Sequence, residues 1–191
     1  MRRMIVVLTA VMILSGLVLA ATYSGLSTRI EANRAAALSR SLASIFAGVA
    51  GEGAELAFEE LDVDGPTVYR ASTTDGSLLG YAVRVETQGY GGTITLLAGL
   101  SEDLETIIGI EIAEQVETPG LGGNITESEF KRQFAGLDAE EPVTYVKNIE
   151  PNKDANEIQA ISGATITSRA ITSGINRTLG EAIDAIERQA Q

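Results

Sequence analysis

Ser162-Gly163-Ala164-Thr165-Ile166-Thr167-Ser168 leads into apolar residues at Ile171, Ile175, Leu179, Ile183 and Ile186, and this junction decides how the chain is read. Spacings of three and four residues mark one face of a helix, so the serines and threonines stand at its amino-terminal end. Backbone N–H groups there lack intrahelical partners and sit at the positive end of the helix dipole. A phosphate can therefore be held without a cationic side chain. The same residues also suit a plain Ser/Thr cap on an amphipathic helix, and the chemistry of the stretch alone leaves both readings open.

Working back from this helix, Thr67 to Ala71, Leu78 to Glu86, Thr93 to Ala98 and Thr106 to Ala113 have the alternation and flanking turns of strands. Their links are too short for crossover helices, so an antiparallel meander is expected. Gly89-Tyr90-Gly91-Gly92 is either a glycine-rich hairpin or a place where backbone approaches a planar ligand, with Tyr90 beside it. Glu117-Thr118-Pro119-Gly120-Leu121-Gly122-Gly123 is a turn-rich loop. A short helix from Thr126 to about Phe134 follows, with Thr126 and Glu129 spaced as a capping box. Val143 to Ile149 and Ile158 to Ile161 read as further short strands, and the last helix runs from near Thr165 towards Glu187. The expected class is α+β: one domain with an antiparallel sheet and packed helices.

Met4 to Tyr23 carries no charge, and roughly 20 helical residues span the ~30 Å of a bilayer core. Arg2, Arg3 and the small residues near Ala20 also fit a cleavable signal peptide, but the apolar run is longer than a signal core of about 7–15 residues. An uncleaved signal anchor is expected, continued by an Ala-rich helix from Ser27 to about Phe46 that Gly48, Gly51 and Gly53 loosen. The resulting segments are 1–23 (cytoplasmic tail and anchor), 24–53 (helical stalk) and 54–191 (extracytoplasmic domain). Arginine counts on the two sides of the anchor nearly tie, so the charge rule leaves orientation open.

The chain holds 14 basic and 26 acidic residues, and segment 51–191 retains 9 and 25 of them, a net charge of −16. Such a surface repels nucleic acid. With no histidine and no cysteine, an iron–sulfur cluster, a c-type haem attachment, a conventional zinc site and a Ser-His-Asp or Cys-His centre are all excluded. Any redox role needs an organic cofactor, and no metal site is expected.

SGATITS resembles the flavinylation motif of the FMN-binding domain family, which includes the G subunit of Rnf electron-transport complexes and the C subunit of sodium-pumping NADH:quinone reductases. The resemblance implies that Thr165 carries FMN through a phosphoester bond. Ser162, Gly163 and Ala164 would shape the turn, and Thr167 is the alternative acceptor. Glu117-Thr118-Pro119-Gly120-Leu121-Gly122 resembles the family's ETPGLG loop, which implies that Glu117, Thr118, Gly120 and Leu121 lie along the isoalloxazine ring. Gly89, Tyr90 and Gly91 fall in the expected order before it, so the likeness spans roughly Leu78 to Glu187. The family usually places aspartate three residues before the motif's first serine or threonine, where this chain has Gln159.

The function implied is a membrane-anchored subunit of an Rnf-type ion-translocating complex of the ferredoxin–NAD type, relaying electrons through covalent FMN on the outer side of a prokaryotic cell membrane. Its expected partners are the other membrane and redox subunits and a flavin-transferring enzyme. A stand-alone extracytoplasmic FMN carrier is the nearest alternative. A non-catalytic anchored scaffold, with the Ser/Thr cluster a mere cap, is a reading of another class.

Overall fold

The computed structural model of this protein describes residues 2–51 and 53–189. Met1, Glu52, Ala190 and Gln191, which the expected segments include, lie outside the described residues. Helix α1 (Arg2–Ala50) is continuous, so Gly48 does not interrupt it. It ends where Gly51 and then Gly53 adopt φ +81°, the left-handed conformation glycine reaches without a Cβ clash.

The chain divides into two compact units, Met1–Leu38 and Ser39–Gln191. In the first, Arg2–Tyr23 supplies 22 residues long and apolar enough to cross a membrane, and none of that window is buried. In the second, the end of α1 contributes buried Leu42, Ile45 and Phe46.

Six strands form one antiparallel sheet in sequence order: β1 (Leu56–Leu61), β2 (Val68–Thr73), β3 (Leu78–Gln88), β4 (Thr93–Leu100), β5 (Thr106–Glu114) and β6 (Leu137–Asp138). The expected meander is β2 to β5. The two outer strands extend it beyond what the alternation predicts, for physical reasons. β1 is an edge whose Glu59 and Glu60 blur apolar alternation, as edge strands commonly do, and β6 is two residues defined by its partner rather than by a pattern.

β4 is buried on both faces. Ile94, Leu96, Ala98 and Leu100 join the main core, whereas Leu97 and Gly99 alternate to the other side. There a Cβ on Gly99 would stand 2.3 Å from Ile45 Cγ2, so the glycine admits the end of α1.

Helix α3 (Thr165–Gln189) covers the core face, with Ile171, Ile175, Leu179, Ala182 and Ile186 turned inward. Close approach to β3 needs Gly174, whose Cβ would lie 2.8 Å from Thr87. The Thr87 hydroxyl donates to the Ala170 carbonyl at 2.9 Å, and Arg177 Nη2 donates to the Glu86 carbonyl at 3.0 Å.

The capping box does not form. Thr126 ends a 3-10 turn (Gly122–Thr126), and its hydroxyl donates back to the Gly123 carbonyl at 3.0 Å. Short helix α2 (Ser128–Lys131) therefore starts after Glu127 with no side-chain cap. Tight 3-10 bonding brings a carbonyl three residues back within reach of the threonine, and that local bond wins. The expected strands at 143–149 and 158–161 shorten to β7 (Thr144–Val146) and β8 (Glu157–Gln159), which pair in parallel as a separate two-stranded sheet. Buried Asn156, at φ 56°, donates to the Asp138 and Glu141 carbonyls and accepts from Asp138 N–H, fixing the approach to β8. β8 then delivers the chain to the turn before α3.

At the opposite end of the sheet, the β2–β3 and β4–β5 turns are each fastened by an aspartate. Hydrogen bonds from Thr73 and Ser77 hold the Asp75 carboxyl below its ordinary range, and those from Ser101 and the Glu105 amide do so for Asp103.

Candidate functional site

The β3–β4 hairpin, the loop leaving β5 and the start of α3 converge at one end of the sheet. Each is shaped by its own sequence. Pro119 and Gly120 occupy the centre of a turn closed by Leu121 N–H to the Thr118 carbonyl at 3.1 Å, with Gly120 at φ +76°. Proline before a positive-φ glycine is the composition a type II turn demands. Ser162 and Gly163 repeat the device: Ala164 N–H donates to the Ile161 carbonyl at 3.0 Å, and Gly163 is also at φ +76°. The two turns face each other, and a Cβ on Gly163 would sit 3.1 Å from Leu121 Cδ2.

Between them lies a cleft of about 460 Å³, bordered by Tyr90, Glu117, Thr118, Leu121, Gly122 and residues 163–167. That volume is within the ~300–1,000 Å³ range of small-molecule sites. Three large apolar side chains stand at its walls with much of their surface free: Tyr90 at 73% exposure, Leu121 at 45% and Ile166 at 50%. Ile166 is a wall that the motif reading does not single out; an isoleucine off the 171/175/179 stripe, in the first turn, is the signal the sequence offers for it.

The four hydroxyls of SGATITS have four different positions. Ser168 is fully buried; it accepts from Ile161 N–H at 3.0 Å and donates to the Ala164 carbonyl at 3.2 Å, riveting the turn to the helix. Thr167, 1% exposed, donates to Glu117 Oε2 at 2.9 Å. Ser162 is exposed and borders a separate hollow of about 280 Å³ that also holds Gln159, Gln133 and Glu127. Thr165, half-buried at the first position of α3, borders the cleft, and its hydroxyl has no hydrogen-bond partner among the described residues. The backbone N–H groups of Thr165, Ile166 and Thr167 likewise have no backbone acceptor among the described residues. Three unpaired donors at a helix start beside a free hydroxyl form an anion cradle, with an apolar slot alongside.

Glu117 has turned inward. It is 6% exposed, and its Oε1 accepts from Gly91 N–H at 2.9 Å while Oε2 takes the Thr167 hydroxyl. Thr118 instead keeps its side chain exposed on the cleft, while its carbonyl accepts from Leu121 and Gly123 N–H. Gly89, Gly91 and Gly120 support this arrangement without bordering the cleft themselves. A Cβ on Gly89 would lie 2.2 Å from Glu117 Oε1, and one on Gly91 2.6 Å from the Val116 carbonyl. Among the described residues no group of carboxylates is placed to hold a metal ion.

Residues 89–180, the stretch that builds this cleft, match the FMN-binding domain family. Relatives include the G subunit of an ion-translocating oxidoreductase complex from Methanosarcina acetivorans, 37% identical over 133 residues, 68% of this chain and 65% of that one. The G subunit of the Na(+)-translocating ferredoxin:NAD(+) oxidoreductase complex of Acetobacterium woodii is 42% identical over 56% of this chain and 50% of its own. The chain thus spans between half and two thirds of the length of these relatives. Among solved structures, the C subunit of the Na(+)-translocating NADH-quinone reductase from Parabacteroides distasonis superposes with a TM-score of 0.55. It is 27% identical, over 62% of this chain and 61% of its own. The cleft-forming segment thus matches the FMN-binding domain family, and the chain is similar to the G subunits of ion-translocating oxidoreductase complexes.

Proposed function

We propose that this protein is the membrane-anchored flavoprotein subunit of an Rnf-type ion-translocating electron-transport complex, carrying FMN in phosphoester linkage to Thr165. The observation that carries this reading is the free Thr165 hydroxyl beside unpaired helix-start amides, in a cleft whose other wall is apolar. FMN, when bound, would supply reversible one-electron redox chemistry. The chain's part is to bind and orient. The amides of residues 165–167 would hold the phosphate, and Tyr90 and Leu121 would flank the ring. Thr167 and Glu117, buried at the border of the cleft, bond to each other. Both relatives are named as subunits of a complex, and the name of the Acetobacterium woodii relative supports ferredoxin:NAD(+) electron flow. The covalent bond requires a flavin-transferring enzyme, which meets this chain with Gln159 rather than aspartate near the motif.

The decisive experiment is direct: the full chain, produced with a flavin transferase and a supply of the dinucleotide FAD, from which the threonine oxygen would take FMN as AMP leaves, is denatured and separated by electrophoresis. Yellow fluorescence that travels with the polypeptide supports the proposal. A colourless polypeptide overturns the covalent linkage, and a protein colourless before denaturation favours a non-catalytic anchored module.

The anchor is tested by topology. Segment 1–23 is proposed to remain attached and to place the domain outside the cytoplasm. The protein should then resist high-salt extraction, and a reporter at its carboxyl end should be active only outside. An amino terminus near Ala21 would show cleavage, and cytoplasmic reporter activity would reverse the orientation.

Thr118 should tune the flavin rather than attach it. Thr118→Val leaves the backbone bonds of the turn intact and removes only an exposed hydroxyl at the cleft. If that hydroxyl bonds the ring, the bond differs in strength between redox states, and about 1.4 kcal/mol corresponds to roughly 59 mV for one electron. Full flavin incorporation is expected, with a midpoint potential shifted by tens of millivolts. Potentiometric titration reads the shift, and an unchanged potential would make the loop purely structural.

A further inference from the structure

Two threonines of one helical turn border the cleft, and only one of them has a free hydroxyl. We propose that Glu117 is a positioning residue that reserves Thr167, so that Thr165 is the single hydroxyl offered to the flavin; this rests on the reading of Thr165 as the attachment site.

The geometry is specific. A threonine in the first turn of a helix ordinarily bonds to a backbone group nearby. Thr167 instead donates to a carboxylate 50 residues away, at 2.9 Å, with both residues buried. The other carboxylate oxygen accepts the Gly91 amide at 2.9 Å, so one side chain ties the β3–β4 hairpin, the 117–123 loop and α3 together. A buried carboxylate is tolerated only with its oxygens satisfied, which makes the three contacts interdependent. The surrounding chain leaves space for it. Cβ atoms on Gly89 and on Gly122 would each stand 2.2 Å from a Glu117 oxygen. The β3–β4 hairpin, the 117–123 loop and the start of α3 are therefore one unit built around this side chain, which holds the buried Thr167 hydroxyl in a hydrogen bond and leaves the Thr165 hydroxyl free.

The test maps the attachment position by peptide mass spectrometry on the full chain, produced with a flavin transferase. The proteins compared are wild type, Thr165→Ala, Glu117→Ala and the double variant, with Glu117→Gln as the conservative control. Glutamine can accept Gly91 N–H through Oε1 and donate to Thr167 through Nε2, so it should keep the selection. Expected are flavin on Thr165 alone in wild type and Glu117→Gln, and at least a tenfold loss of flavin in Thr165→Ala. Both Glu117→Ala proteins should carry flavin on Thr167. Flavin on Thr167 in Thr165→Ala with Glu117 intact would overturn the proposal and make the carboxylate an activating base. A folded Glu117→Ala protein modified only on Thr165 would overturn it as well.

A second measurement does not need the flavin. Hydrogen exchange at the Gly91 amide of the unloaded full chain should be at least tenfold faster in Glu117→Ala and near wild type in Glu117→Gln. Equal exchange in all three would remove the tie itself. A wild-type chain without covalent flavin would overturn the attachment reading and the selection with it, while the exchange rates would separately decide whether Glu117 holds the loops.

Discussion

Thr165→Ala is expected to abolish covalent flavin while leaving the fold intact, the largest functional change available from one side chain of this protein. The structure explains why the two effects separate. Thr165 opens α3, but its hydroxyl has no partner among the described residues, whereas the neighbouring Ser168 makes the bonds that secure the turn. Alanine is also the better helix former. Stability should stay within about 0.5 kcal/mol of wild type, as for surface substitutions that break no bond. Flavin fluorescence on the denatured chain reads attachment, and urea unfolding of the detergent-solubilised protein reads stability. Thr165→Ser keeps a hydroxyl and should retain modification. Full covalent loading of Thr165→Ala would refute the assignment, and loss of loading only in Thr167→Ala would transfer it to Thr167.

Gly122→Ala should strongly destabilise the site. The new methyl would stand 2.2 Å from Glu117 Oε2 and 2.8 Å from the Thr167 hydroxyl. The carboxylate is held against retreat, because Oε1 accepts from Gly91 N–H and Oε2 from the Thr167 hydroxyl. Overpacking and a displaced, unsatisfied carboxylate together cost about 2–4 kcal/mol. Gly180→Ala is the control. It lies in α3 with open space around its Cβ position and should stabilise the helix by about 0.5–1 kcal/mol. Urea denaturation of both variants gives the comparison. Equal stabilities would mean that the 117–123 loop yields freely and that Glu117 is not fixed where the structure places it.

Much of the molecule is legible in one dimension because the relevant physics is local. Alternation in residues 67–113 yields the meander, since a strand with one face on a core must repeat every two residues. The stripe from Ile171 to Ile186 defines α3 for the same reason at a period of 3.6. Pro119-Gly120 and Ser162-Gly163 announce turns because positive φ at the third position selects glycine. The total lack of histidine and cysteine removes most rival chemistries outright. By side-chain chemistry alone Ser162, Thr165, Thr167 and Ser168 are near-identical; the motif's resemblance points to Thr165, and the tertiary structure adds which of the four hydroxyls are already bonded. Which hydroxyl is free depends on what approaches from elsewhere: Glu117 reaches across 50 residues to Thr167, while Ile161 and Ala164 occupy Ser168. Glu117 itself reads as part of a loop facing a ring, and long-range packing turns it inward between Gly89, Gly91 and Gly122. β1 and β6, and the parallel pairing of β7 with β8, are hidden for a related reason, since edge strands, two-residue strands and pairings are specified by the partners' backbone and leave little periodic trace of their own.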